Sequence, residues 1–256
     1  QMKIGRRLAI KLLNASKFVL NLGATENSVV SADLSVLGNP GVDRPNAKEA
    51  LASEPLINPL DRAVLAQLSD VVQQATKAFE NYDYARALQI TESFFWHFTD
   101  DYVELIKDRA YGAAGEAEQA SVLAALATSL DTLLRLFAPF LPFATEEVWS
   151  WWRTGSVHRA QWPTAVGIDG DTNLLATVGT ALSGIRKAKS EAKVKQRTAV
   201  LSATITASES LTIQLKAGLA DLKAAANARE LTLAVGDGDL TVSDVVLAPA
   251  EEPAQA

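Results

Sequence analysis

The stretch YARALQITESFFWHFTDDYVELIKDR, from Tyr84 to Arg109, decides the fold. At about 100° per residue, its apolar side chains fall on one arc of a helix and most of its charged side chains on another. The apolar arc holds Leu88, Phe95, Phe98, Tyr102, Leu105 and Ile106. The polar arc holds His97, Asp100, Asp101, Glu104, Lys107 and Asp108. The stretch therefore predicts an amphipathic helix with an aromatic seam.

The polar side of this helix mixes flat rings with hydrogen-bonding groups within roughly three turns. Its members are Trp96, Asp100, Tyr102, Glu104 and Lys107. Surfaces that read unpaired nucleic-acid bases combine these two kinds of group. The same pattern also fits rings buried in a core and charges on a solvated face. Spacing alone leaves both interpretations open.

Other helices are predicted on either side of this stretch. The expected helices cover 3–22, 58–81, 118–137 and 144–152. Asn58 and Pro59 form a favourable N-cap and first-turn pair, and the short link 81–83 predicts an antiparallel helical hairpin. Apolar residues in 24–55 show no regular spacing, so a long irregular connection is predicted there. Residues 155–163 predict a loop folded back over the bundle.

The first predicted helix carries a cationic stripe beside its apolar arc. The stripe consists of Lys3, Arg6, Arg7, Lys11, Asn14 and Lys17. A second basic run consists of Arg186, Lys187, Lys189, Lys193, Lys195 and Arg197. The formal net charge is −6, so these are local basic surfaces on an acidic chain. Such a stripe can track phosphates, although Lys and Arg are also ordinary residues of a solvated helix face.

After a stretch of small and polar residues at 164–171, the spacing of apolar residues changes from helical throughout to a mixture of helices and strands. We expect a helical bundle over 1–165 and a small α/β domain over 166–256. In the second domain, helices are predicted at 173–195 and 208–226, and strands at 198–206, 231–235 and 240–247. Gly236-Asp237-Gly238-Asp239 predicts a hairpin between the last two strands. The expected fold class is mainly α, with one helix packed on a short three-stranded sheet and a frayed tail over 248–256.

The composition excludes several kinds of site. The chain has 256 residues, no Cys and two His, so no disulfide, thiolate metal site or Cys nucleophile is possible. No P-loop, GxGxxG, GxSxG or HExxH motif is present. Asp100 and Asp101 are adjacent and would point about 100° apart on a helix, which does not suit a shared proton. We also expect no membrane span, because no apolar run approaches roughly 20 residues.

Five blocks of the sequence resemble those of valyl-tRNA synthetases, in the same order. They are GRRLAIKLLNASKFVL (5–20), FFWHFTDDYVELIKDR (94–109), LLRLFAPFLPFATEEVWSWW (133–152), SVHRAQWP (156–163) and IRKAKSEAKV (185–194). PFLPFATEEVW is also similar to isoleucyl and leucyl enzymes. The combination of NASKF (14–18) with Phe94-Phe95-Trp96 and Asp101-Tyr102 favours the valine enzyme.

The resemblance implies the anticodon-binding helical bundle that follows the catalytic domain of a class I synthetase. The full enzyme would use ATP and Mg to ligate valine to tRNA(Val). The HIGH-like and KMSKS-like motifs are not in this chain, so we expect a C-terminal part with no catalytic residues and no cofactor of its own. The long basic coiled coil of many bacterial relatives is also missing. The expected partners are tRNA(Val) and the catalytic domain of the same polypeptide, with no DNA or membrane, in a cytoplasmic monomer.

The same resemblance implies roles for individual residues. Arg6, Arg7, Lys11, Asn14 and Lys17 would hold phosphates and approach base edges. Phe95, Trp96, Phe98 and Tyr102 are stacking candidates, and among them Trp96 and Tyr102 are preferred. Asp101, Glu104, Lys107 and Arg109 would read base edges. Two alternatives stay open: a helical protein-interaction module that uses the same fold without RNA, and an isoleucine-type relative that binds another anticodon.

Overall fold

The computed structural model describes residues 2–29, 56–165 and 167–249, without the side chains of residues 2–4 and 26. It divides into two compact units. The first contains Gln1–Asp100 and Arg109–Thr172, and the second contains Asp101–Asp108 and Asn173–Ala256. Most of the predicted connection 24–55 and the end of the predicted tail lie outside the described residues.

The described residues confirm the predicted fold class, a helical bundle with a small α/β unit. Short 3₁₀ turns lie at Glu26–Ser28 and Val157–Arg159, and a π turn lies at Phe98–Tyr102. The α-helices are α1 Met2–Asn21, α2 Pro59–Glu80, α3 Tyr84–His97, α4 Val103–Leu105, α5 Lys107–Ala110, α6 Glu116–Phe137, α7 Pro142–Ser150, α8 Leu174–Glu191, α9 Glu209–Ala217 and α10 Leu219–Ala226.

The start of α2 confirms the predicted cap. The Asn58 side chain accepts a hydrogen bond from the amide of Leu60 at 2.9 Å, and Pro59 occupies the first turn. The helix ends at Glu80, and the link to α3 places Tyr82 in the left-handed region at φ 59°. Asp83 then caps α3 by accepting from the amide of Arg86 at 3.0 Å. The two helices pack together as the expected hairpin.

The aromatic stretch is not the single α-helix that the sequence predicts. α3 ends at His97, the π turn follows, and Ile106 separates α4 from α5. The aromatic seam is nevertheless buried, since Phe95, Phe98 and Tyr102 expose 1%, 2% and 0% of their surface. A seam with this spacing is compatible with either kind of turn, so the pattern of apolar residues could not distinguish them.

A buried ion pair in the first unit is formed by residues of three helices. Arg109 on α5 donates to both carboxylate oxygens of Asp61 on α2, at 2.8 and 2.9 Å. Ser121 on α6 donates to the same carboxylate at 2.6 Å. Glu118 accepts from Arg109 at 3.2 Å and from the Asn58 side chain at 3.0 Å. Both charges of the central pair are therefore hydrogen-bonded, as buried charges require.

One helix is more apolar than the sequence analysis expected. α6 is long and apolar enough, by length and composition, to cross a membrane. In its most apolar window, however, 83% of the residues are buried inside the protein. This degree of burial is typical of the core helix of a bundle.

The second unit contains a three-stranded sheet, but the predicted hairpin is wrong. The strands are β1 Val200–Ala207, β2 Ala228–Val235 and β3 Thr241–Leu247, in the order β2-β1-β3. β1 pairs parallel to β2 and antiparallel to β3. The segment after β2 crosses the end of β1 before the chain turns back, so β3 pairs with β1 and not with β2. In this crossing the Gly236 amide donates to the Ala207 carbonyl at 3.0 Å. A Cβ at Gly236 would lie 2.6 Å from Thr206 Cγ2, so a larger residue here would force the Thr206 side chain or the crossing segment to move.

The sheet is covered by more helices than the single one predicted. The expected helix 208–226 is divided at Gly218 into α9 and α10. α8 packs on β3, α9 packs on β1 and β2, and α10 packs on β2. The buried Lys189 of α8 donates to the Ala226 carbonyl at the end of α10, at 2.7 Å, and to the Gln196 carbonyl at 2.9 Å. Burial, reinforced by the nearby charge of Arg186, lowers the pKa of Lys189.

We expect Arg109→Met to lower the free energy of unfolding by about 3–5 kcal/mol, because it takes the guanidinium away from a buried carboxylate. Urea denaturation followed by circular dichroism measures the change. Arg86→Met is the matched control, since the Arg86 side chain is exposed and donates to Gln89, three residues along the same helix, at 3.1 Å. If the two variants lost equal stability, the ion pair would not be the constraint proposed here.

A second prediction compares two glycines of α8. A Cβ at Gly184 would lie 2.6 Å from Val242 Cγ2 on β3, whereas a Cβ at Gly179 would meet nothing closer than 3.7 Å. Gly179→Ala should stabilise by up to about 1 kcal/mol through helix propensity. Gly184→Ala should destabilise by about 1–3 kcal/mol through overpacking, and Val242→Ala should rescue it. The melting temperatures of Gly179→Ala, Gly184→Ala and the double variant Gly184→Ala/Val242→Ala test this. Equal shifts for Gly179→Ala and Gly184→Ala would contradict the close approach of Gly184 to Val242.

Candidate nucleic-acid interface

The amphipathic pattern of α1 positions a basic surface on the first unit. Leu8, Leu12 and Val19 are 4%, 1% and 1% exposed, so they fix one arc of the helix in the core. The remaining arc presents what we call the basic stripe, which consists of Arg6, Arg7, Lys11, Asn14 and Lys17. Lys11 is half-buried and the other members are exposed. The side chain of Lys3, also predicted to belong here, lies outside the described residues.

Trp96 of α3 lies beside the basic stripe. The Arg7 guanidinium is 5.4 Å from the centroid of its ring, and the Lys11 ammonium is 5.9 Å away. The half-buried indole donates its N–H to Glu92 at 3.2 Å. The structure thus brings together three residues predicted from sequence, as two cations and one partly exposed aromatic ring. Cation–π contacts of this kind contribute about 0.5–1 kcal/mol at exposed sites.

An acidic residue also contacts the basic stripe. The Lys11 ammonium lies 2.8 Å from Asp100 Oδ1, and the two side chains are 35% and 56% exposed. The Thr99 hydroxyl donates to the same oxygen at 3.4 Å. The sequence places Asp100 on the polar arc but not among the predicted binding residues. Lys11 and Asp100 are 89 positions apart, so the spacing of residues along a helix could not predict that they form an ion pair.

A second tryptophan contacts the other end of the stripe. Lys17 lies 5.7 Å from the centroid of the Trp151 ring, which is 37% exposed. The Trp151 indole donates to Glu147 at 3.1 Å. Trp151 is not among the binding residues predicted from the sequence. Its exposure contrasts with that of Trp149, which is 7% exposed.

A buried acid holds the end of α7 in place. Asp131 of α6 accepts from Arg153 at 2.6 Å and also pairs with Arg135. The Arg153 guanidinium lies 4.9 Å from the Trp152 ring centroid and 5.5 Å from that of Trp149. Because these contacts fasten the segment that follows α7, they also determine where Trp151 lies relative to Lys17.

Two residues predicted to contact RNA, Tyr102 and Arg109, are buried. Tyr102 is 0% exposed and has no free face on which a base could stack. Arg109 is 5% exposed and its guanidinium is held by Asp61 and Glu118. Both belong to the core of the fold, so neither can contact RNA in this structure. Phe95 and Phe98 are also buried, as the preference for Trp96 over them anticipated.

The other predicted base-edge readers belong to the second unit. Glu104 pairs with Lys107 at 2.5 Å and with Arg186 at 3.3 Å. Asp101 is half-buried. A role for Asp101, Glu104 or Lys107 in reading bases therefore stays a prediction, and Glu104 would first have to exchange its ion-pair partners.

The second basic run does not form one surface. Lys193, Lys195 and Arg197 are exposed on the loop between α8 and β1, whereas Lys189 is buried under it. Gln196 anchors this loop by donating to the Arg186 carbonyl at 3.2 Å. Across the ranges 2–29, 56–165 and 167–249, no group of three or more His, Cys, Asp or Glu residues is arranged to hold a metal ion.

Comparison with known proteins identifies relatives of this chain. Residues 61–205 match the family model described as the anticodon-binding domain of tRNA ligase. The chain is 46% identical to the valine–tRNA ligase of Leifsonia xyli subsp. xyli, over 98% of this chain and 27% of the relative. The valine–tRNA ligase of Cutibacterium acnes is 45% identical over 100% of this chain and 27% of the relative, and that of Thermobifida fusca is 47% identical over 98% and 26%.

The chain therefore spans about a quarter of the length of these relatives. A solved structure, the ternary complex of Agrobacterium radiobacter K84 agnB2 LeuRS with tRNA and LeuAMS, aligns over 91% of this chain and 24% of the LeuRS chain. Its sequence identity is 15% and its TM-score is 0.40.

Proposed function

This chain belongs to the family of anticodon-binding domains of tRNA ligases, and we propose that it recognises the anticodon loop of tRNA(Val) as part of a valine–tRNA ligase. The observation that carries the proposal is the basic stripe of α1 lying against the half-buried ring of Trp96. Unpaired bases bind to surfaces that offer cations for the backbone and a ring for the base.

The residues of this surface divide by chemistry. Arg6, Arg7 and Lys17 are exposed cations and suit phosphates, where contacts fix position and carry no sequence information. Trp96 offers part of a ring to an unstacked base, and such stacking contributes roughly 1–3 kcal/mol per base. Asn14 is exposed on the same stripe and can both donate and accept, as reading a base edge requires.

The catalytic steps belong to the remainder of the proposed ligase. This chain has no nucleotide-binding motif, so activation of valine with ATP and Mg and transfer to tRNA would take place in the catalytic domain of the same polypeptide. The proposed role of this chain is to select the tRNA by its anticodon and to position it. We accordingly expect no aminoacylation by this chain alone.

Binding to tRNA transcripts tests the proposal. We expect an unmodified transcript with a valine anticodon to bind more tightly than transcripts altered at the second and third anticodon bases. Each altered base should cost about 1–3 kcal/mol, or roughly 5- to 150-fold in Kd, because a hydrogen-bonding group loses its partner. Fluorescence anisotropy at fixed salt measures the difference. Equal binding of all transcripts would refute anticodon reading by this chain, and no binding at low salt would refute the tRNA assignment.

Salt dependence separates phosphate contacts from base contacts. Arg7→Gln and Lys17→Gln should weaken binding of all transcripts alike and should each reduce the slope of log K against log[salt] by about 0.7. Lys216→Gln is the control, because Lys216 is an exposed cation in the last turn of α9. A Lys216 effect as large as that of Arg7 would mean that only overall charge matters. Selective loss on one transcript would mean base reading instead.

A further inference from the structure

The basic stripe contains one cation that already has an anionic partner. Lys11 pairs with Asp100 at 2.8 Å. For Arg6, Arg7 and Lys17, no acidic side chain lies within ion-pair distance among the residues that the structure describes. Lys11 is also the central cation of the stripe, next to Trp96. RNA that approaches this surface therefore meets a cation whose charge is compensated within the protein.

We propose that Asp100 competes with RNA phosphate for Lys11 and thereby limits the affinity of this surface for RNA. The inference rests on the proposed function and adds a residue that regulates it. A carboxylate oxygen and a phosphate oxygen are equivalent partners for a lysine ammonium, which acts as a compact point charge with three donors. Asp100 occupies the position that a phosphate oxygen would take.

The exposure of the pair makes the exchange feasible. Both side chains are accessible, at 35% and 56%, and exposed ion pairs contribute little net stability. A phosphate can therefore displace Asp100 at small cost. If Lys11 stays with Asp100, the RNA gains one contact fewer, and if Lys11 turns to the RNA, the carboxylate is left beside a phosphate and repels it. Both outcomes weaken binding.

The backbone keeps Asp100 at this place. Asp100 lies in the π turn Phe98–Tyr102, whose two ends are 2% and 0% exposed. The single O–H of Thr99 lies between two acceptors, the Trp96 carbonyl at 3.1 Å and the Asp100 carboxylate at 3.4 Å. The buried ends of the turn hold the backbone of Asp100 beside Lys11, so a displaced carboxylate would remain close enough to a bound phosphate to repel it.

A double-mutant cycle tests whether Asp100 acts through Lys11. The chain, Asp100→Asn, Lys11→Met and the double variant are titrated with a single-stranded oligouridine and with the valine-anticodon transcript. Asp100→Asn should tighten binding of both RNAs by about threefold to tenfold at low salt and should steepen the salt slope by about 0.7. In the Lys11→Met background the same substitution still removes a carboxylate that repels phosphate, but it frees no ammonium. Its gain in affinity should therefore be clearly smaller, and the salt slope should not steepen.

Asp70→Asn is the matched control, because Asp70 is an exposed acid on α2 and its loss changes the net charge equally. It should leave both affinities within about twofold. Unchanged or weaker binding by Asp100→Asn, or an equal gain in the Lys11→Met background, would overturn the proposal. Equal unfolding midpoints for the four proteins of the cycle exclude a folding effect.

The two proposals fail differently in this experiment. If the unaltered chain binds and discriminates transcripts but the cycle shows no coupling, competition by Asp100 is wrong and anticodon recognition stands. If the chain binds oligouridine with coupling but does not discriminate transcripts, competition stands and anticodon recognition fails. If it binds neither RNA at low salt, both are wrong.

Discussion

The helical unit depends on satisfying the charge of Asp61, which is 0% exposed. A buried carboxylate is tolerated only when its hydrogen bonds and its charge are matched, and here Arg109 and Ser121 provide both. The partners come from α5 and α6, so the requirement of one side chain fixes three helices relative to one another. Asn58 has a double role, because it caps α2 and donates to Glu118 of the same network.

This constraint also decides which residues of the aromatic stretch are available for function. Because Arg109 at one end is held in the core, and Phe95 and Phe98 are buried with it, the stretch faces inward along its seam. Trp96 is the half-buried tryptophan beside that seam, and α1 packs where its cations reach the ring. The candidate surface is therefore a consequence of how the core is filled.

Local signals in the sequence predicted the helices well and the distant pairings poorly. The cap at Asn58 and the periodic apolar residues of α2 and α6 act within a few turns, and the structure confirms both. The burial of Arg109 could not be predicted, because a charged residue at a helix end normally faces solvent and its partner Asp61 is 48 positions away. The Gly-Asp repeat after β2 favours a hairpin locally, but α9 and α10 carry the chain to a parallel pairing with β1, which leaves the opposite side of β1 for β3.

The same contrast between local and distant effects explains how an acidic chain can offer a surface for RNA. At physiological ionic strength, charges farther apart than about 8 Å are largely screened from each other, so the net charge of −6 says little about any one patch. What counts at the basic stripe is the set of charges within that distance. Asp100, at 2.8 Å from Lys11, lies well inside it, whereas an acid on a distant helix does not. If this surface binds RNA as proposed, one carboxylate in contact with the stripe would therefore affect the affinity more than acids on distant helices do.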